Sequence, residues 1–258
     1  MGSYDILVGY DVETDCIGEI RMDIRTHCHG MICGASGSGK SVALLWLLYQ
    51  LLLLDMPLEI FICDPKNSGD YAGIVPVENF ATGVENSVKL IHTFYNIFRQ
   101  TPENNDTLQL LLVEELPGLI LSAPEIIGGK EGKNEVEKIK SEMALLMMLA
   151  RSKTMGIWTV CQRPSAQYYT SASGATDNYH FALCTGPMST QNRIHMFGNV
   201  CLENEEFAST YNPTTYGSGF FWEVGAAHLK AICIPLIRNK LDLIKLLRQK
   251  ARDKWGNF

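Results

Sequence analysis

The octet Gly34-Ala35-Ser36-Gly37-Ser38-Gly39-Lys40-Ser41 constrains this chain more than any other stretch. It fits G-x-x-x-x-G-K-[ST]. In that pattern the glycines let successive backbone N–H groups curl around a β-phosphate, the lysine reaches the β- and γ-phosphates, and the Ser/Thr hydroxyl meets Mg²⁺. The pattern requires a strand before it and a helix after it. HGMIC (29–33) reads as a buried strand and VALLWLLYQLLLL (42–54) as a helix. The positive end of that helix would face the anion. The implied cofactors are ATP and Mg²⁺, with Lys40 on the phosphates and Ser41 on the metal. The apolar run after the octet is too short to span a membrane comfortably, and it carries Tyr49 and Gln50.

Periodicity places other elements around the octet. Ile6–Val8 and Ile20–Ile24 read as opening strands, Cys28–Cys33 as the strand feeding the octet, and Ser41–Leu54 as its helix. LEIFIC (58–63) is a buried strand ending in Asp64-Pro65-Lys66, and LQLLLV (108–113) is another running into Glu114-Glu115. IWTVC (157–161) is a third, ending in Gln162-Arg163-Pro164. Helices are expected over Glu85–Phe98, Glu135–Arg151 and Lys240–Trp255. Leu119–Lys133 reads as irregular, with GGKEGK (128–133) an exposed loop. Later strands are expected at His180–Cys184, Gly219–Glu223 and Leu229–Ile234. Buried strands alternating with helices imply an α/β fold with a mostly parallel central sheet flanked by helices. Ligands then collect at the carboxyl ends of the strands, where the octet, Asp64, Glu114-Glu115 and Gln162 all fall.

Composition narrows the class. With 258 residues and 46% hydrophobic content, the chain supports one large core. No repeat or linker divides it, so a single domain over 1–258 is expected: N-terminal strands in 1–26, a core in 27–236 and a basic amphipathic helix in 237–258. The net charge of −6 excludes a generally basic nucleic-acid coat, so a polyanion must be met by a local patch. Eight cysteines are scattered singly, without a C-x-x-C pair, and read as small buried hydrophobes in a reducing cytoplasm.

Hydrolysis needs more than a phosphate cradle. Mg²⁺ wants a carboxylate, and the attacking water wants a group to orient and deprotonate it. Both groups should sit just past a buried strand beside the phosphate loop, and Glu114 and Glu115, after LQLLLV, fill these roles: Glu114 toward the metal and Glu115 as base. Gln162, at the end of another strand, would sense the γ-phosphate by hydrogen bonding.

The order of these signals resembles the FtsK/SpoIIIE family of motor ATPases, within the wider FtsK–HerA group. The matching pieces are THCHGMICGASGSGKS, ICDPK at 62–66, the carboxylates after LQLLLV, and GIWTVCQRPS at 156–165, where Cys161 replaces the family's threonine. The likeness runs from Tyr4 to Leu236. It implies a RecA-like P-loop NTPase that works as a hexameric ring and moves a polymer, usually double-stranded DNA, through a central pore. Conjugative transfer, another mobile-element process, protein secretion and genome packaging are all roles within that group, and a secretion or relaxase partner is among those implied. Three departures stand out. The family's Asp-Glu pair is Glu114-Glu115 here. Its arginine three residues before Gly-Ile, which reaches a neighbour's ATP, is Lys153, leaving Arg151 or Arg193 to substitute. The membrane segments and winged helix of chromosomal translocases have no counterpart in this sequence. The first two departures also suit an ATP-binding scaffold without turnover.

Three further features bear on partners and metals. His27-Cys28-His29 suggests zinc, but adjacent strand residues face opposite ways, so a structural role is expected. Residues 165–179 read as a polar, aromatic loop; the resemblance implies that it faces a pore or a neighbouring subunit, with Tyr168 and Tyr169 toward a substrate, and a plain surface loop is the alternative. The tail carries Lys240, Lys245, Arg248, Lys250, Arg252 and Lys254 beside an apolar side of Leu241, Ile244, Leu247 and Trp255. It is expected to dock on its own domain, with DNA or a neighbouring subunit as the competing partner.

Overall fold

The computed structural model describes residues 4–13, 18–163, 168, 174–214, 217–235 and 239–256. Its strands are β1 (Asp5–Asp11), β2 (Gly18–Asp23), β3 (Gly30–Cys33), β4 (Leu58–Asp64), β5 (Phe80–Thr82), β6 (Leu108–Val113), β7 (Met155–Cys161), β8 (Phe181–Thr185), β9 (Ser218–Glu223) and β10 (Lys230–Cys233). Its helices are α1 (Lys40–Leu52), α2 (Val84–Gln100), α3 (Leu116–Ile127), α4 (Gly129–Leu149), α5 (Thr190–Phe197), α6 (Glu205–Thr210) and α7 (Lys240–Trp255).

All ten strands form one sheet, ordered β2-β1-β10-β9-β8-β3-β7-β6-β4-β5. The segment from β8 to β5 is parallel; β9, β10, β1 and β2 extend it as an antiparallel wing. The expected α/β class with a mostly parallel sheet is therefore observed. Every residue of β3, β6, β7 and β8 is buried, as strands covered on both faces require. Alternate residues divide between two cores. Ile60, Ile62, Leu110 and Leu112 pack with α1 and α7. Phe61, Cys63, Leu111 and Val113 pack with α2, α3 and α4 on the other side.

Several expectations need correction. The stretch 119–133 is not irregular, and GGKEGK is not a loop: α3 and the first turns of α4 occupy it. Gly128, at φ 97°, makes the turn between the two helices. A Cβ at Gly132 would sit 2.7 Å from Pro124 Cα, so this glycine lets α4 cross closely over α3. The buried residues Val136, Ile139 and Met143 further along carry the helix through its polar start. The strand bearing Glu114 does not flank β3; β7 is inserted between them. Two short helices, α5 and α6, were not foreseen; each is capped by a side chain, Ser189 and Asn204 respectively. In α7 the apolar side is Leu243, Ile244, Leu247 and Ala251, whereas Leu241 is exposed.

The basic tail docks on its own domain. Lys240 pairs with Asp70, and Arg248 Nε donates to the Ala72 carbonyl at 2.8 Å. Lys254 Nζ donates to the Leu54 carbonyl and Trp255 Nε1 to that of Leu58. Among the described residues no helix is long and apolar enough to cross a membrane.

Candidate nucleotide-binding site

The octet leaves the carboxyl end of β3 and opens α1. Gly39, at φ 101°, is the N-cap; no side chain caps the helix and its first turn holds no acid. The first N–H groups of α1 are thus left for an external anion. Ala35, Ser36 and Gly37 are exposed at the rim. The loop is braced from β8: Ser38 Oγ lies 2.9 Å from Thr185 Oγ1. A Cβ on Gly34 would meet the Thr185 carbonyl at 2.4 Å, so only glycine fits there.

Lys40 is folded back on the loop, its Nζ donating to the carbonyls of Gly34 (2.7 Å) and Ala35 (2.9 Å). Burial lowers its pKa, partly countered by the charge of Glu115. These two bonds hold the ammonium in the cradle, where phosphate oxygens would replace the carbonyls as acceptors.

Glu114 and Glu115 follow β6. The Glu114 N–H donates to the Cys63 carbonyl at 3.0 Å, extending the strand pairing one residue beyond β6. Ser41 Oγ donates to Glu114 Oε1 at 3.4 Å, while Glu114 Oε2 is buried without a hydrogen bond among the described residues. Burial, and next the charge of Asp64, push the Glu114 carboxyl up to about 7; the Tyr71 hydroxyl works in the opposite direction. Asp64 ends β4. Its Oδ2 accepts from the Ser68 N–H and hydroxyl, and its Oδ1 is buried with no partner among the described residues. Glu115 stands in the left-handed region (φ 49°, ψ 48°) as the N-cap of α3 and pairs with Lys66 at 3.1 Å. A non-glycine residue there is uncommon, and such backbone strain clusters at functional sites.

Oxygen donors with unfilled lone pairs suit a hard divalent cation. Ser41 Oγ and the unpartnered Glu114 Oε2 therefore fit Mg²⁺. Gln162 is exposed one residue beyond β7, just as Gly34 lies one residue beyond β3, with Cys33 and Cys161 in register. The octet, Glu114-Glu115 and Gln162 thus all follow the carboxyl ends of the parallel strands β3, β6 and β7. Sequence reasoning assigned no role to Lys66, Tyr71 or Thr185. Lys66 and Asp64 carried a signal, the polar strand end Asp-Pro-Lys; Thr185 and Tyr71 carried none.

Lys153 and Arg151 lie elsewhere. They precede β7, and seven strand residues separate them from the loop, roughly 20 Å. Lys153 Nζ donates to the Phe98 carbonyl at 2.9 Å and sits 4.8 Å from the Phe98 ring centre. Arg151 is exposed. Arg193, on α5, is half-buried. Tyr168 packs against the core on the α2–α4 side, whereas Tyr169, Pro164 and most of the 165–179 loop lie outside the described residues.

The Cys28, His29 and His180 ligand atoms lie within 4.8 Å of one another. They nevertheless fit a metal poorly. The Nδ1 lone pair of His29 accepts from the Ile157 N–H (3.1 Å), and that of His180 from the His29 N–H (3.2 Å). Burial holds both rings neutral, His29 near a pKa of about 3 and His180 of about 4. The group is a polar pin joining the start of β3 to β7 and β8. Cys33, Cys161 and Cys184 are buried side by side beneath the loop; burial pushes the Cys161 thiol up to about 12, which leaves it unreactive.

The sequence model of the FtsK/SpoIIIE family matches residues 6–99, which include the octet and Asp64-Pro65-Lys66. The resemblance read from the motifs is thereby supported. No curated protein sequence matches the chain. Among solved structures, the fold is similar to the pCW3 conjugation coupling protein TcpA in a monomer form with ATPγS. That match has a TM-score of 0.65 at 18% identity, over 95% of this chain and 70% of that one. It is also similar to the cytoplasmic domain of the Thermomonospora curvata type VII secretion ATPase EccC, with a TM-score of 0.65 at 14% identity over 96% of this chain and 31% of that one. A third likeness is to EssC ATPases 2 and 3 from Geobacillus thermodenitrificans, with a TM-score of 0.66 at 11% identity over 97% of this chain and 48% of that one. The chain spans less than half the length of the EccC and EssC chains. These likenesses establish the fold of P-loop ATPases.

Proposed function

We propose that this chain, with its FtsK/SpoIIIE-type sequence and P-loop ATPase fold, is an ATP-driven, ring-forming DNA translocase. The observation that carries the reading is the meeting of Lys40 and Ser41 with Glu114 and Glu115 at the carboxyl ends of the parallel strands. The backbone of residues 34–39 cradles the phosphates and Lys40 turns from its loop carbonyls to them. Ser41 and Glu114 would hold Mg²⁺, which would supply positive charge against the phosphates. Glu115 takes the proton of the attacking water, and Gln162 bonds the γ-phosphate. Catalysis is mainly positioning and charge stabilisation.

The site is completed by a second subunit. Lys153 is engaged on Phe98, whereas Arg151 is exposed and too far from its own loop to serve it. Beside it, Leu145, Met148 and Leu149 on α4 are 39%, 47% and 51% exposed, an apolar border suited to packing on another copy. Arg151 is thus the better candidate for a cation acting on a neighbour's nucleotide. Reaction in a reducing cytoplasm, and service to conjugative transfer or another mobile-element process, belong to the same reading.

A second reading is a protein-secretion ATPase of the same group. It draws on the basic tail, whose Lys240, Arg248 and Lys254 are spent on the chain's own domain, and on the net charge of −6. Hydrolysis measured with long double-stranded DNA or with secretion-signal peptides separates the two. DNA stimulation is expected. Stimulation by peptide alone would favour secretion, and nucleotide binding with neither stimulation nor turnover would favour a scaffold.

A further inference from the structure

The metal side of the site has more oxygen donors than the motif supplies. Asp64 and Glu114 end adjacent parallel strands one residue beyond the pair Cys63–Val113. They follow Ile62 and Leu112 by two, so both face the α1 side of the sheet, from which Ser41 approaches. Asp64 is fully buried and Glu114 nearly so. Among the described residues each keeps one oxygen, Oδ1 and Oε2, without a hydrogen bond, and the buried Tyr71 hydroxyl nearby makes no well-formed bond either. Among the described residues neither carboxylate is paired with a lysine or arginine: Lys40 is on its loop and Lys66 on Glu115. Two buried carboxylates side by side are costly unless a cation lies between them.

We infer that Asp64 is a second carboxylate of the Mg²⁺ site, presenting Oδ1 to the cation alongside Glu114 and Ser41. Ser68 fixes its other oxygen, which locks the side chain in that orientation. Asp64 thereby supplies the short acidic arm that the longer Glu114 does not duplicate. The inference rests on the proposed assignment of Ser41 and Glu114 to the metal.

The test uses Mn²⁺ as a spectroscopic probe, with its affinity measured by electron paramagnetic resonance in the presence of saturating ATPγS. Nucleotide affinity is measured in parallel in EDTA. Asp64→Asn is expected to weaken Mn²⁺ about 10- to 100-fold, with nucleotide affinity in EDTA unchanged. Asp64→Ser, which removes the carboxylate while keeping a small polar side chain, replaces it if thermal melting shows a folding defect. Unchanged Mn²⁺ affinity in the Asp64 variants with loss in Glu114→Gln overturns this inference alone. Unchanged affinity in Glu114→Gln and Ser41→Ala as well overturns it together with the metal assignment beneath it.

Discussion

Lys66 Nζ stands 3.1 Å from Glu115 Oε1, so the proposed base is held in an ion pair by the loop that follows β4. The lysine end is 53% exposed and the carboxylate 12%. A pair so open to solvent is worth about 0.5–1 kcal/mol, or roughly two- to fivefold in a rate. Lys66→Met is therefore expected to raise basal kcat by about that factor with KM for ATP unchanged, because it frees the base without touching the cradle. Steady-state kinetics checks this; a fall in kcat would mean that the lysine assists the reaction directly.

Arg151 and Lys153 separate cleanly. Arg151→Ala is expected to lower kcat by about a thousandfold or more if it acts on a neighbour's nucleotide. Lys153→Ala loses a hydrogen bond and a cation–π contact to Phe98 and costs stability, about 1 kcal/mol, with a far smaller effect on kcat. Mixing Arg151→Ala with Glu115→Gln chains should restore partial turnover, since some interfaces then join an intact Arg151 to an intact Glu115. Mixtures as inactive as either variant alone would count against completion by a neighbour.

The octet, its helix and the carboxylates after β6 were legible because each is a local pattern. Glycine spacing fixes the loop, and fully apolar strands fix which residues stand at their carboxyl ends. The insertion of β7 between β3 and β6 was not legible, because strand order is decided by crossovers and not by any one segment. The helical start of α4 was hidden by its polar, glycine-bearing sequence; tight crossing over α3 overrides that local preference. Thr185 bears no motif, yet it braces Ser38, because β8 happens to end beside the loop. In the tail, Leu241 and Leu243 are equally apolar, and only packing shows which is inside.

Gly156 in β7 allows the closest backbone approach next to the Cys28–His29 pin. A Cβ there would lie 2.1 Å from the Cys28 carbonyl oxygen. Gly156→Ala must shift backbone in a buried strand, so a loss of about 2–3 kcal/mol is expected. Urea denaturation measures it, and a change below about 0.5 kcal/mol would show that the strand accommodates the methyl group.

His92 on α2 bridges two carboxylates of α4: Nδ1 meets Glu142 at 2.5 Å and Nε2 meets Glu135 at 2.6 Å. The hydrogen bond to Glu142 leads in raising its pKa; burial opposes the shift, and Glu135 reinforces it. A raised imidazole pKa gives stabilisation that is complete below the ordinary value near 6.5 and is lost as pH climbs through the raised one. His92→Gln should therefore cost about 1–2 kcal/mol at pH 6 and distinctly less at pH 9. Denaturation at the two pH values reads the difference; equal losses would show that the imidazolium is not the species held.

The most direct measurement is the ATPase rate per chain against protein concentration, with and without long double-stranded DNA, using Lys40→Ala to set the background. A site finished by a neighbouring Arg151 and driven by DNA predicts a rate that rises cooperatively with concentration and jumps when DNA is added. A rate that is flat with concentration and indifferent to DNA, while ATP is still bound, would contradict a ring-forming translocase.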